Sequence, residues 1–173
     1  MLHNVAHRDR GGASGVGPEF GDAVGMVPAY PSEFAELQRE YPIFLRKDAA
    51  TGQWQSVALL GFEQHESLYL QDGRWNASYL PGAAAKGPFL IGFQEHQVDG
   101  AFTQEAVLHV DLDHPRVKAM QGEPVFLPQG GNTPYLDHIA GVLRGIHDGH
   151  AFGADMYAMF DAKGLIQPLT LDV

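Results

Sequence analysis

The chain of 173 residues is 45% hydrophobic and 18% charged, enough apolar material for a folded domain with a sizeable core. Its formal net charge of −10 argues against nucleic acid or an anionic membrane surface as partner, because both reward Lys and Arg. The absence of cysteine excludes disulfides, thiolate nucleophiles and Cys-based metal sites, no apolar run approaches the about 20 residues of a membrane span, and a cytoplasmic location is the expectation.

Residues 1–22 are polar, with glycine at 11, 12, 15, 17 and 21, and are expected to be a flexible arm. Gly15-Val16-Gly17 has no strand before it and no Lys-Ser/Thr after it, so it is not a phosphate loop. Residues 23–173 are expected to form one domain. Ala23 to Val27 reads as a short strand, and Ser32 as the N-cap of a helix to Glu40 with Phe34, Leu37 and Tyr41 on its apolar face. Pro42 ends that helix.

Ile43 to Arg46, Trp54 to Leu60 and Ser67 to Leu70 read as a three-stranded antiparallel meander. The first two strands flank the turn Asp48-Ala49-Ala50-Thr51-Gly52, and Asp72-Gly73 ends the third. Leu80 to Lys86 suggests a short helix. Phe89 to Phe93 and Ala106 to Asp111 are further strands on either side of an Asp99-Gly100 turn. A crowded turn with Asp111, Asp113, Pro115 and Arg116 follows, then a short apolar run in which Phe126 and Leu127 are expected in the core. Asn132 or Thr133 before Pro134 opens the longest helical pattern.

That pattern contains a conflict. Leu136, Ile139, Leu143 and Ile146 make a clean stripe, whereas Phe152, Met156, Met159 and Phe160 lie on a rotated face. Glycines at 141, 145, 149 and 153 each cost ~1 kcal/mol against alanine in a helix interior. Two helices, or one bent helix, with a break between His147 and Gly153 are therefore expected. The glycine row has the spacing of a small-residue packing seam but begins opposite the apolar stripe. Gly164 is a C-cap, and Leu169 to Val173 alternates as a strand. The fold class is α+β: a mostly antiparallel sheet with the C-terminal helical region packed on it.

Taken in order, several short segments resemble the SapC-like family of bacterial proteins. They are Glu40-Tyr41-Pro42-Ile43, Lys47-Asp48 leading to Gln55-Ser56-Val57-Ala58-Leu59, and Gly73-Arg74-Trp75, then Asp111-Leu112-Asp113 with Pro115-Arg116. Gly122-Glu123-Pro124-Val125-Phe126, Pro134-Tyr135-Leu136 and Gln167-Pro168-Leu169 complete the series, which covers about residues 24–173. The family name comes from proteins linked to a bacterial surface layer, and the genes tend to lie beside those of flavin-dependent halogenase-like and cupin-like proteins. The resemblance implies no reaction, cofactor or catalytic residue. Family chains usually continue past the segment matching Leu169–Val173, so an uncovered C-terminal strand edge and self-association through it are expected.

The remaining motifs divide between two functions. His109-Val110-Asp111 has the spacing of the first two ligands of a non-haem iron centre, with His138, His147 or His150 as the nominal third; this is the enzymatic alternative, a metal-dependent oxygenase. Asp111, Asp113 and Asp137 lack the further oxygen ligands and central Gly of a calcium loop, and a solvated turn with Arg116 paired to an aspartate accounts for them. His147, Asp148 and His150 suggest a polar hinge before an acid–base site with Ser67 or Ser78. Trp54, Trp75 and Tyr79 suit either a core or a partly wet binding groove. No complete catalytic set is visible, so the favoured reading is a non-catalytic binding or accessory protein. It would contact a protein or peptide through Trp54, Trp75, Tyr79, Asp111, Asp113 and Arg116, without a cofactor.

Overall fold

The computed structural model describes residues 11–12, 15–98, 101–118 and 123–170. In chain order its strands are β1 (Gly11–Gly12), β2 (Met26–Pro28), β3 (Ile43–Lys47), β4 (Trp54–Leu59), β5 (Leu70–Gln71), β6 (Arg74–Trp75), β7 (Phe89–Val98), β8 (Ala101–Val110) and β9 (Glu123–Pro124). The α-helices are α1 (Phe34–Leu37), α2 (Gly82–Ala85), α3 (Pro115–Lys118) and α4 (Pro134–Ala162). All strand pairs are antiparallel, and the α+β class holds. The chain divides into two compact units: the described residues up to Gly15 with Lys86–Arg144, and Val16–Ala85 with the chain from Gly145 onward.

In the first unit β7 and β8 form a hairpin in continuous register, from Phe89 opposite Val110 to Val98 opposite Ala101. The Asp99-Gly100 turn lies outside the described residues. The base of the hairpin packs into a cluster of Phe89, Val125, Phe126, Leu136, Ile139 and Leu143, with Tyr135 edge-on to Phe89 at 6.1 Å. Val125 and Phe126 are thus in the core, and Leu127 is half-buried. Thr133 proves to be the N-cap of α4: its Oγ1 accepts the Leu136 N–H at 3.3 Å, and Pro134 occupies the first turn, where no amide donor is missed.

In the second unit β4 is the middle strand of a three-stranded sheet ordered β2-β4-β3. The expected meander is corrected here. The third strand of that sheet is Met26–Pro28, not Ser67–Leu70, while Leu70–Gln71 pairs with Arg74–Trp75 in a separate two-residue ribbon. The reason is turn chemistry: Asp72 and Gly73 both adopt positive φ, closing a tight local turn that returns the chain on itself. The N-terminal start of the first helix also differs, because Pro31–Glu33 is a 3-10 turn and the Ser32 hydroxyl donates to Gly145 O instead of capping it.

Part of the expected arm has defined local structure. Residues 1–10, 13 and 14 lie outside the described residues. Gly11–Gly12 pairs with β9, and Pro18–Phe20 forms a 3-10 turn closed by Gly17 N–H donating to the buried Asp22 carboxylate at 2.8 Å.

Of the two forms expected, the pair of separate helices is corrected: α4 is one helix of 29 residues, with no interruption between His147 and Gly153. Tertiary packing overrides helix propensity, and the glycines divide into two kinds. A Cβ at Gly141 or Gly145 would meet nothing within 4 Å. One at Gly149 would stand 2.5 Å from Ser32 Oγ and 2.9 Å from Tyr30 Cβ, and one at Gly153 3.1 Å from Tyr157 Cε2 and 3.4 Å from Pro31 Cγ. The second pair lets the helix approach the Tyr30–Ser32 loop more closely than any larger residue permits. The expected rotated face is corrected with it: Phe152 and Met159 are exposed, and the buried positions are Gly149, Gly153 and Tyr157. Gly164, at φ 66°, ends the helix, with Leu165 N–H donating to Phe160 O at 2.9 Å. Residues 169–170 are in no strand, and 171–173 lie outside the described residues.

Candidate functional site

The second unit holds a half-open cleft of about 500 Å³, within the size range of small-ligand and peptide side-chain pockets. Three pieces of chain build it: the Pro28–Pro31 segment after β2, the start of β4 from Gly52 to Ser56, and the C-terminal part of α4 from Gly149 to Asp161. Each is fixed by its own sequence. Asp48 Oδ1 accepts from Ala50 N, Thr51 N and Thr51 Oγ1, bonds that hold its carboxyl below the usual carboxylate range, and Gly52 supplies the positive φ that closes the turn. This turn sets Gly52 and Gln53 at the mouth. The small side of α4 forms the opposite wall.

The floor of the cleft carries a buried hydroxyl pair. Ser56 Oγ donates to Ala29 O at 2.5 Å, so the Tyr157 hydroxyl, also 2.5 Å away, donates to Ser56. Burial pushes the Tyr157 phenol up. Because the Ser56 proton is already directed at a peptide carbonyl, which is no base, this serine is not an activated nucleophile. At the rim, Lys47 Nζ lies 4.8 Å from the centroid of the Trp54 ring and 3.9 Å from Asp161 Oδ2. Both groups of that ion pair are half-exposed, and it is worth little in stability. Trp54 Nε1 is different. It is shielded from solvent and has no hydrogen-bond acceptor among the described residues. A buried donor left in this state costs on the order of 1–3 kcal/mol.

The other nominated aromatics lie elsewhere in the same unit. Trp75 Nε1 donates to Tyr41 OH at 2.7 Å, and Tyr41 OH donates to Tyr79 O at 2.5 Å. Burial is the main cause that pushes the Tyr41 phenol up to about 12, and it raises Tyr79 as well, with Glu33 adding to the shift there. Tyr79 OH donates to Glu33, whose buried carboxylate also accepts from Tyr30 N and Gly82 N. Glu33 is thus a structural hub joining the loop before α1 to the start of α2. Trp75 and Tyr79 are brought together in this network; Trp54 alone reaches the cleft.

Asp111, Asp113 and Arg116 belong to the first unit. Asp111 and Asp113 are exposed, and Asp111 Oδ1 accepts the Asp113 N–H at 2.9 Å, a self-closing turn. Arg116, expected on a solvated turn, is only 6% exposed and packs beside Gly87. His109 is half-buried on β8 with its ring against Gly92, where any Cβ would stand 2.7 Å from Nε2. Asp111 lies past the end of the strand. Among the described residues no group of three or more His, Asp, Glu or Cys could hold a metal ion, so no third ligand joins His109 and Asp111. Of the hinge cluster, His147 and Asp148 are exposed and His150 lines the cleft.

The SapC family model matches residues 2–173. The chain belongs to the SapC family. The match takes in the N-terminal residues as well as the region from residue 24 onward that carries the sequence resemblance. No curated protein and no solved structure matches the chain. Among the described residues of this SapC family member, no helix is long and apolar enough to cross a membrane.

Sequence reasoning missed Tyr30, Ser56 and Tyr157 as cleft residues. One signal was present: Gly149, Gly153 and Tyr157 recur at a spacing of four, the mark of a single helix face.

Proposed function

We propose that this SapC family member is a non-catalytic binding or accessory protein whose cleft beside Trp54 receives a segment of a protein or peptide partner. The observation that carries the reading is the cleft itself, lined by the aromatic residues Tyr30, Trp54 and Tyr157, with an indole donor that has no acceptor among the described residues. Aromatic residues with polar tips are the residue type that dominates binding contacts. Of the residues nominated from the sequence, Trp54 is assigned to partner contact, and Trp75 and Tyr79 to the network that holds the unit together. The second functional class, an iron-dependent oxygenase built on His109 and Asp111, gains no support from the ligand geometry.

The test is selection of binding peptides from a random displayed library on the intact protein, followed by titration against a variant with the cleft filled, Ala154→Trp. Ala154 lines the cleft from an exposed helix position, so the larger side chain has room to leave the core undisturbed. Selected peptides are expected to lose at least about tenfold in affinity, ~1.4 kcal/mol. Undiminished binding to a folded Ala154→Trp protein would remove the cleft from the function.

A further inference from the structure

We propose that the cleft selects a basic peptide segment, one of whose arginine or lysine side chains takes the place that Lys47 holds between Trp54 and Asp161. This deepens the peptide-binding reading and rests on it. The rim already holds one cation. Lys47 ends β3 opposite Trp54, with Nζ 4.8 Å from the centroid of the indole ring and 3.9 Å from Asp161 Oδ2. Trp54 and Asp161 both line the cleft, so a ring face and a carboxylate there suit a positive charge. The resident lysine holds its place loosely. Its side chain is 55% exposed and that of Asp161 51%, and 3.9 Å is well beyond the 2.7–2.9 Å of a strong charge-assisted hydrogen bond. An ion pair of this kind contributes little, so a ligand cation can displace it at small cost.

The rest of the lining matches the same ligand. Among its described residues the cleft carries the Asp161 carboxylate and no lysine or arginine. The Gln53 and Gln55 carboxamides and the Tyr30 hydroxyl add oxygen acceptors, and a guanidinium brings five N–H donors or an ammonium three. Charge over the longer range agrees. Val16–Ala85 and Gly145–Val173 hold 13 of the 21 acidic residues and five of the 11 lysines and arginines, so this unit carries a net charge of −8 out of the chain's −10. A field of that sign draws in basic segments and repels acidic ones.

The probes are acetyl-(Gly-Arg)₅-amide and acetyl-(Gly-Gln)₅-amide, titrated into the ¹⁵N-labelled intact protein and read from the amide signals of Gly52, Gln53 and Gly153. The arginine peptide is expected to shift these signals saturably. The glutamine peptide should bind about 3- to 30-fold more weakly, the combined worth of one exposed cation–π contact and one surface ion pair. Two variants should act in opposite directions. Asp161→Asn removes the carboxylate and is expected to weaken the arginine peptide by about 1.5- to 5-fold, whereas Lys47→Gln removes the competing cation and should tighten it by a similar factor. Asp72→Asn and Arg74→Gln make the same charge changes at the β5–β6 turn, outside the cleft lining, and should each move the affinity less. Asparagine tolerates the positive φ of Asp72, so that control keeps its turn. Control variants as effective as the cleft variants, or weaker binding in Lys47→Gln, would overturn the exchange with Lys47. Equal affinity for the two probes would overturn the basic preference and leave the peptide-binding cleft standing, as would cleft shifts from library-selected peptides alone. If no peptide, probe or selected, moves the cleft signals, both readings fail together.

Discussion

Replacing each of the four α4 glycines with alanine should separate two effects that are opposed in the helix. Alanine is favoured over glycine by about 1 kcal/mol at an interior helical position. At Gly141 and Gly145 the new methyl meets nothing within 4 Å, so that gain is realised, and each variant should be stabilised by ~0.5–1 kcal/mol. At Gly149 the methyl would stand 2.9 Å from Tyr30 Cβ, an atom tied directly to the backbone, and 2.5 Å from Ser32 Oγ, which already donates to Gly145 O. Relieving that contact means moving the Tyr30–Ser32 loop, and overpacking of this kind costs ~1–3 kcal/mol. The sum leaves Gly149→Ala between neutral and ~2 kcal/mol destabilised. Gly153, whose nearest contacts of 3.1–3.5 Å are with a tyrosine ring edge and a proline ring, should fall between. Urea unfolding followed by far-UV circular dichroism, with the four variants side by side, reads the order directly. If Gly149→Ala were as stabilised as Gly145→Ala, the close approach of helix and loop, and with it one wall of the cleft, would be wrong.

Three further outcomes follow from the same contacts. Phe126→Ala, which opens the core of the first unit, should cost ~3–5 kcal/mol in chemical denaturation, and a loss below ~1 kcal/mol would contradict its burial. Ser56→Ala should cost more than Tyr157→Phe, because it leaves the buried Tyr157 hydroxyl without its acceptor, at ~1–3 kcal/mol, whereas the phenylalanine variant forfeits one bond of ~0.5–1.5 kcal/mol; thermal melts of the pair check the order. The Glu40 carboxylate accepts the backbone N–H groups of Ser78 and Tyr79, with the Ser78 bond the main cause that holds its pKa below the ordinary glutamate value. Its folded-state pKa is the lower one, so its contribution is complete above the unfolded value of about 4.3 and is lost as the pH falls through the folded value. Glu40→Gln should therefore flatten the acid limb of the stability–pH curve, and an unchanged limb would remove that linkage.

Much of the fold was legible in local chemistry. The strands at Ile43 and Trp54, the Asp48–Gly52 turn, Pro134 at the head of the long helix and Gly164 at its tail each announce themselves through residues whose reasons are local. The errors came where the reasons are tertiary. No rule of helix propensity could show that Gly149 and Gly153 are repaid by contact with Tyr30–Ser32, more than a hundred positions away, so a division into two helices was one of the two forms expected. The buried face was sought among large apolar residues, Phe152 and Met159, when the packing there needs the smallest ones. The candidate site was legible to the same degree. Trp54 could be nominated for its amphipathic ring. That Trp75 would spend its N–H on Tyr41 while Trp54 would not is a matter of three-dimensional neighbours.

The most direct test of the binding cleft is to map the contact surface of the tightest library-selected peptide on ¹⁵N-labelled intact protein. The perturbed signals are predicted to be those of Tyr30, Trp54, Gly149, Gly153 and Tyr157, with the Trp75 indole unmoved. Perturbations gathered instead around Asp111, Asp113 and Arg116, or along β7 and β8, would place partner recognition in the other unit and contradict the account.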